Sequence, residues 1–450
     1  MKEIFNFNLL RNLIYKRKKH CLFTFFISFF LLITACSNLS TNSLKNESEQ
    51  YLKYIENVRI INARYYIKSG EIVKDKNSDG RAFTDHKTGH VEMVKDKSLE
   101  TRVAVINLIR AGNLIKFYDE KGIPFSDFID IKTLVGAALS HDTGMCGGGY
   151  ALEPLLDKNG KQQKDEFGRK MFKKDSSGIY LVHKEVDSNF GEIRDNHSLN
   201  SAINMLINRN LYLAAGYTDS EIDKMAAVCM AHSKSGSGVS NLNRRSDWKD
   251  SFDRLCSVIK FHNDNNPDAK IKFDRTVIEN DDQFFSSMIT EAFVVRIGDV
   301  SRDSGPDAEA QSGEKVHVDR NSLKDKAGTV TLELENSVIK IGEDGDEVLT
   351  EKSRQVHVGE QNIIQNHARV SGDGKFVHEI IVNDGNSAPA CTQEAINDHI
   401  EEFACIPDYN FEIRILFIKD CDDFAKESFN NFKIKEESKI SNIKVIYPWN

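Results

Sequence analysis

At 450 residues and 51.0 kDa the chain exceeds one ordinary domain. Its 40% hydrophobic and 28% charged residues read as a soluble globular protein with material for a packed core. A net charge of −8 counts against a nucleic-acid backbone as the main partner.

The N-terminus is the exception to that composition. Lys16-Arg17-Lys18-Lys19 precede an uncharged run, CLFTFFISFFLLITA at 21–35, followed by Cys36 and polar SNLSTNSLKNESEQ. A basic region, a short apolar core and a small residue before the break are the parts of a secretory signal. Fifteen residues fall short of the roughly 20 that a spanning helix needs. Cys36, placed directly after Ile33-Thr34-Ala35, resembles the lipidated cysteine of a bacterial lipoprotein signal. The resemblance implies a signal peptide over 1–35, lipidation at Cys36, a tether over 36–46 and an extracytoplasmic, membrane-anchored protein. An uncleaved N-terminal anchor is the alternative and puts the body on the same side. The first 35 residues carry +5, so removing them from −8 leaves −13, an acidic mature surface.

From 47 to 303 the pattern is mainly helical. The segment SDFIDIKTLVGAALSHD predicts a helix over 126–142 with Ser126 as N-cap. TDSEIDKMAAVCMAH, 218–232, opens with Thr218 and Glu221 at capping-box spacing and closes on His232. The segment 281–303 predicts a third helix, with Glu291, Val295 and Asp299 stacked at i, i+4. Two polar stretches, 154–190 and 242–280, read as insertions near the mouth of a site. A linker follows over 304–328, and then strand-like runs at 329–335, 376–384, 411–420 and 443–449, with helical segments near 388–405 and 421–433. That alternation predicts a small α/β or ferredoxin-like domain over 329–450, making the whole a multi-domain chain, mainly α-helical first and α/β last. No internal repeat is evident. The eight cysteines, at 21, 36, 146, 229, 256, 391, 405 and 421, show no C-x-x-C spacing, which speaks against a zinc ribbon. An exported chain permits disulfides, with Cys391 to Cys405 or Cys421 as the possibilities.

Ligand-type residues collect at or near helix ends: His90 in TGHVEMV, His141-Asp142 in ALSHDTGM, His197 in RDNHSLNSA, His232 in CMAHSKSGSG and Asp299 in RIGDVSRD. Imidazole and carboxylate together suit Fe, Mn, Zn or similar divalent ions. Any single histidine is more often packed or solvated than a ligand, and His86 is an alternative to His90. His183, His262, His317, His357, His367, His378 and His399 read as structural or surface residues.

The order His, His-Asp, His, His, Asp resembles the HD-domain superfamily of metal-dependent phosphohydrolases, in its two-metal branch, over about 85–303. The resemblance implies His90, His141, Asp142 and Asp299 around one ion, and His197 and His232 joining Asp142 around a second. SKSGSGVSNLN stands where the HD-GYP branch carries a Gly-Tyr-Pro stretch, which puts a cyclic dinucleotide substrate in doubt. The implied activity is hydrolysis of a phosphate ester, with a small phosphorylated molecule such as a nucleotide as substrate. Two ions would hold a hydroxide and clamp a phosphate oxygen, and Asp142 would bridge them and accept a proton. Lys234, Arg302 and Arg194 are candidates for holding the phosphate, although a lysine in a Gly/Ser loop is as readily solvated and Arg302 can pair with Asp299 or Asp303. The same ligand set occurs in di-iron oxygenases of that superfamily. A non-catalytic binding lipoprotein is the third reading.

Overall fold

The computed structural model describes residues 51–68, 88–110, 125–165, 169–185, 190–233, 236–242, 244–301, 339–340, 348–349, 363–370, 375–386, 389, 392–393, 395–397, 400, 411–431 and 443–449. Residues 1–53 and 54–450 form separate compact units. The signal segment, Cys36, the tether, His86, the linker, the run at 329–335, Lys234 and Arg302 lie outside the described residues. Among the described residues, no helix is long and apolar enough to cross a membrane.

The helices are α1 (51–68), α2 (Thr88–Arg110), α3 (Ile131–Ser140), α4 (Phe190–Ile207), α5 (Arg209–Ala214), α6 (Asp219–Ala231), α7 (Arg245–Asn265), α8 (Arg275–Asn280) and α9 (Asp282–Val300). Residues 285–298 of α9 are buried without interruption, the charged Glu291 and Arg296 included, which puts this helix at the centre of the core. α2, α3 and α6 pack around it.

The ends of α3 and α6 follow from local chemistry. Asp130, and not Ser126, caps α3, its side chain accepting from the Lys132 amide. The chain from 125 to 130 is irregular because Ser126 is used elsewhere: its amide donates to Thr290 Oγ1 and its hydroxyl accepts from Phe128. α6 has the capping box of Thr218 and Glu221 and ends on His232.

Three helices share a register. Thr133, Lys224 and Glu291 each stand eight residues before His141, His232 and Asp299, on α3, α6 and α9 respectively. The Glu291 carboxylate accepts from Thr133 Oγ1 at 2.8 Å, Lys224 Nζ at 2.6 Å and the Asp130 amide at 3.2 Å. Equal offsets in both layers mean that the three helices run side by side in one direction, the layers roughly 12 Å apart along the axes. Glu291 and Lys224 are both buried; burial pushes the Glu291 carboxyl up from its ordinary range, and the Lys224 ammonium and the Thr133 hydroxyl oppose that shift. Such a pair costs several kcal/mol when one partner is removed, so it fixes register more than it adds net stability.

Along α4 an asparagine recurs every fourth residue: 196, 200, 204 and 208. Asn200 takes the Tyr150 amide (2.9 Å) and donates to the Tyr150 carbonyl (3.0 Å) and to Glu185 (2.7 Å). Asn204 donates to the Thr143 carbonyl at 3.0 Å, and Asn208 to Tyr65 Oη at 2.7 Å. Carboxamides that offer both donor and acceptor thus give the chain at 143–152, a 3₁₀ turn (Thr143–Cys146) leading into a short strand, backbone partners that it would otherwise lack. Gly144 is required here, since a Cβ would stand 1.9 Å from the His197 carbonyl oxygen.

The stretch after β1 (Tyr150–Leu152) runs as successive antiparallel hairpins before returning as β2 (Val182–Lys184), which pairs with β1. Two of its turns, at Asp157 and Asp175, are alike: the Asp carboxylate accepts amides two and four residues on, and its own amide donates to the carbonyl of residue i+4. Asp165 repeats the last bond and accepts the Arg169 amide. DKNGK, DEFGR and DSSGI are therefore a short D-x-x-G repeat, correcting the expectation of none. The second presumed polar insertion is also corrected, because α7 is a core helix. Trp248, Phe252, Leu255 and Val258 are buried at helical spacing, a stripe hidden in the sequence by the charged residues between them.

Toward the C-terminus small sheets appear. β3 (Ile339–Lys340) pairs with β4 (Val348–Leu349). β5 (Ile363–Val370), β6 (Phe376–Asp384), β7 (Phe411–Lys419) and β8 (Ile443–Ile446) form one sheet in that spatial order. Helical residues lie at 389, 392–393, 395–397 and 400, and α10 is Asp423–Asn431. β5 is antiparallel to β6, while β6, β7 and β8 are parallel, as helical crossovers demand. A ferredoxin-like arrangement has the order β-α-β-β-α-β, so that expectation is replaced by an α/β unit in sequential order. It packs on the helical body through β5 against α2 and through Phe376, 6.4 Å from Phe293. Cys421 is buried, while Cys391 and Cys405 lie outside the described residues.

Asn200→Ala would leave the Tyr150 amide and carbonyl and one Glu185 oxygen without this partner in a buried setting, at about 2–3 kcal/mol. Urea denaturation of the variant should show a lower midpoint. An unchanged midpoint would mean that the asparagine stripe is not what holds 143–152.

Candidate metal centre

Six side chains from five helices meet at one end of the three-helix register. His141 is the C-cap of α3 with Asp142 next to it, His232 is the C-cap of α6, and Asp299 lies in the last turn of α9. His90 comes from the first turn of α2 and His197 from the middle of α4. The C-terminal ends of α3, α6 and α9 carry the negative end of each helix dipole. A cation is therefore favoured at this place before any side chain is counted.

His90, His141, Asp142 and Asp299 form one group, and Asp142, His197 and His232 a second, with the potential ligand atoms of each within 4.8 Å of one another. Asp142 belongs to both because its two oxygens face different ways. Oδ2 stands 3.1 Å from His90 Nε2 and 3.2 Å from His141 Nε2. Oδ1 stands 3.4 Å from His232 Nε2 and 3.7 Å from His197 Nε2. Asp299 Oδ1 completes the first group, 3.3 Å from His90 and 3.5 Å from His141.

The ring orientations are set from behind. Nδ1 of His141 lies 2.6 Å from the Ala138 carbonyl, and Nδ1 of His197 and His232 lie 2.5 Å from the carbonyls of Arg194 and Cys229. A carbonyl only accepts, so in each ring Nδ1 carries a proton and Nε2 is the nitrogen turned to the site, its lone pair available to an ion once any proton on it is displaced. His197 and His232 then turn Nε2 toward each other across 3.0 Å. Two lone pairs there repel unless positive charge lies between them. With four imidazoles and two carboxylates, the donor set fits one or two borderline divalent ions.

Neighbouring groups hold the ligand-bearing turns. Asn62 of α1 donates to Ser140 Oγ at 2.8 Å, and Tyr212 of α5 closes a triangle with both. The Tyr66 hydroxyl donates to the Leu139 carbonyl. Arg296, buried in α9, directs its guanidinium to the carbonyls of Ala231 (Nε, 3.1 Å) and Val239 (2.7 Å). It thus caps α6 with a cation beside His232 and ties down the loop that follows. Gly236 in that loop has φ +61°, and a Cβ there would stand 1.9 Å from the Asp195 carbonyl oxygen.

The electrostatics are those of a cation site. Burial opposes charge on His90 and His141, but the carboxylates of Asp142 and Asp299 outweigh it and hold both imidazoles above their ordinary range. Burial would likewise raise Asp299, yet His141 and His90 keep its carboxyl well below the usual carboxylate range. Carboxylates this close need a positive partner, and a divalent ion is the most compact one.

No family model, no curated protein and no solved structure matches this chain.

Of the phosphate-binding candidates, Arg194 is described. It stands one turn before His197 and its carbonyl orients that ring. Lys234 and Arg302 lie outside the described residues. Sequence reasoning overlooked Arg296, Asn62 and Tyr212. Arg296 did leave a signal, a lone arginine in an otherwise apolar helix. Asn62 and Tyr212 left none, because their roles depend on how α1 and α5 dock.

Loaded with divalent metal, the full chain should hold two ions, and His197→Ala or His232→Ala about one. Metal analysis after dialysis measures this. Because His90 and His141 retain protons above the ordinary 6.5, the ion has to displace them, so affinity should rise with pH past that point. One ion in the parent and no change in the variants would make the second group structural.

Proposed function

We propose that this protein is a metal-dependent phosphohydrolase of HD type that cleaves a small phosphate ester at a binuclear centre. The observation that supports this best is the division of Asp142, one oxygen toward His90 and His141 and the other toward His197 and His232. A carboxylate so placed suits a bridge between two ions. The resemblance in the order of the six ligands supports the same reading.

Two bound divalent ions would supply an acidified water and a clamp for the phosphoryl oxygens. The remaining work falls to the chain. His90, His141 and Asp299 would hold the first ion and His197 and His232 the second, with Asp142 available to both and able to take up a proton. Arg194, with Lys234 and Arg302, would orient the substrate phosphate through charge-assisted hydrogen bonds. Burial of most of the centre limits access by bulk water, which strengthens each of these interactions.

The test is hydrolysis of p-nitrophenyl phosphate and its bis ester by full-length protein with Mn²⁺, Fe²⁺ or Zn²⁺ under argon. Asp142→Asn should lose more than the roughly 100-fold that removal of an outer-shell partner costs. Turnover that survives in Asp142→Asn, or that requires O₂, would overturn the hydrolase reading; the second result would favour the oxygenase chemistry.

The basic, apolar and Cys36 sequence at the start supports placing the enzyme outside the cytoplasm on a lipid anchor. Cys36→Ser should release the protein from the membrane fraction or leave the precursor uncleaved. If neither size nor fractionation changes, the anchor is not lipid on Cys36.

A further inference from the structure

Beneath the D-x-x-G hairpins lies a cavity of about 570 Å³, closed on its far side by α7, and none of the six metal-centre residues lines it. Its size lies within the range of small-molecule sites. Five cations and two carboxylates line it, in a chain whose net charge is −8. Phe172 and Tyr180 supply flat apolar surface. The Arg254 guanidinium stands 5.0 Å from the centre of the Phe172 ring and 5.8 Å from that of Tyr180, and Lys174 Nζ is 4.1 Å from the Tyr180 ring.

A purely structural account is that these cation–aromatic contacts fasten the hairpins to α7. It explains the Asp250 carboxylate, which accepts from Arg254 Nη2 at 2.5 Å and from the Tyr180 hydroxyl. It leaves two things unexplained. Fastening alone needs no cleft of this volume. Arg254 is buried, yet its Nε–H has no acceptor among the described residues. Buried N–H groups are seldom left unmade, and a charged one is the most expensive to leave so.

We propose that this cavity is a second binding site, separate from the metal centre, for a small organic anion that carries a planar ring. The anionic group would take the Arg254 Nε–H and pair with Lys174 and Lys170 at the more exposed side of the cavity, in competition with their present partners Asp250 at 3.8 Å and Asp195 at 2.5 Å. The ring would lie against Phe172 and Tyr180, where stacking and apolar contact act together. Each half is weak alone, so a ligand with both features is the one selected.

The probe is phenylphosphonate, which combines a ring with a dianion and resists hydrolysis. It is titrated calorimetrically into full-length protein with chelator present, so that metal ions do not contribute. One site per chain is expected, with inorganic phosphate and phenol each bound at least about tenfold more weakly, or 1.4 kcal/mol. Arg254→Gln should weaken phenylphosphonate about tenfold or more, and Lys174→Ala and Phe172→Leu several-fold, while Asp142→Asn leaves it unchanged. Lys174 is partly exposed, so that variant tests the site even if Arg254→Gln fails to fold. No binding up to about 10 mM, binding indifferent to Lys174→Ala and Phe172→Leu, or binding lost in Asp142→Asn would each overturn the proposal.

Discussion

The candidate centre depends on one carboxylate. Asp142 serves two groups of imidazoles only if three other helices, α2, α4 and α6, bring their histidines around it, within 3.1 to 3.7 Å of its oxygens. Adjacent residues on a helix diverge by about 100°, so His141 and Asp142 cannot both point the same way while α3 continues. The helix ends there, and Asp142 leaves the α conformation with φ −105° and ψ 10°. The chain after it makes one 3₁₀ turn, Thr143–Cys146, and is then held by Asn200 and Asn204 of α4 in place of α-helical hydrogen bonds.

The two polar layers across α3, α6 and α9 have opposite purposes. In the lower one Glu291, Lys224 and Thr133 satisfy one another and are closed to solvent. In the upper one the ligands leave lone pairs and carboxylate charge facing inward. A shift of one helix by a single residue would break both, and the lower layer penalises it with a buried unpaired charge. Register at the centre is thereby enforced by groups that never touch a ligand. Arg296 does the same for the loop after His232.

Much of the centre was legible in the sequence because helix termini leave strong marks. The Thr218–Glu221 capping box and the stop at His232 are local features, readable from a few residues. The ligand set was visible as His and Asp at those ends. What escaped was chemistry that depends on two segments meeting. The asparagines of α4 read as ordinary polar residues until the 143–152 chain lies on them. The stripe of α7 was masked by alternating charge, because Asp247, Arg254 and His262 are themselves buried. Ser126 lost its expected cap to Asp130, which stands closer to the helix that actually forms. The ferredoxin-like order failed because strand and helix runs alone do not say which strands are neighbours.

The hairpin strap has a different kind of independence. Its Asp157 and Asp175 turns are each closed by their own aspartate and backbone, drawing nothing from the helical body. Successive turn aspartates stand eight and ten residues apart. Between the turns the strap is fastened to the body, by Arg169 to Asp247, by Lys170 to Asp195 and by the Tyr180 amide to Ser257 Oγ. The self-closed turns are thus where a change of length would cost this protein least, and the anchoring residues between them are where it would cost most. The helical core beneath the strap, with its two registered layers, tolerates no such change.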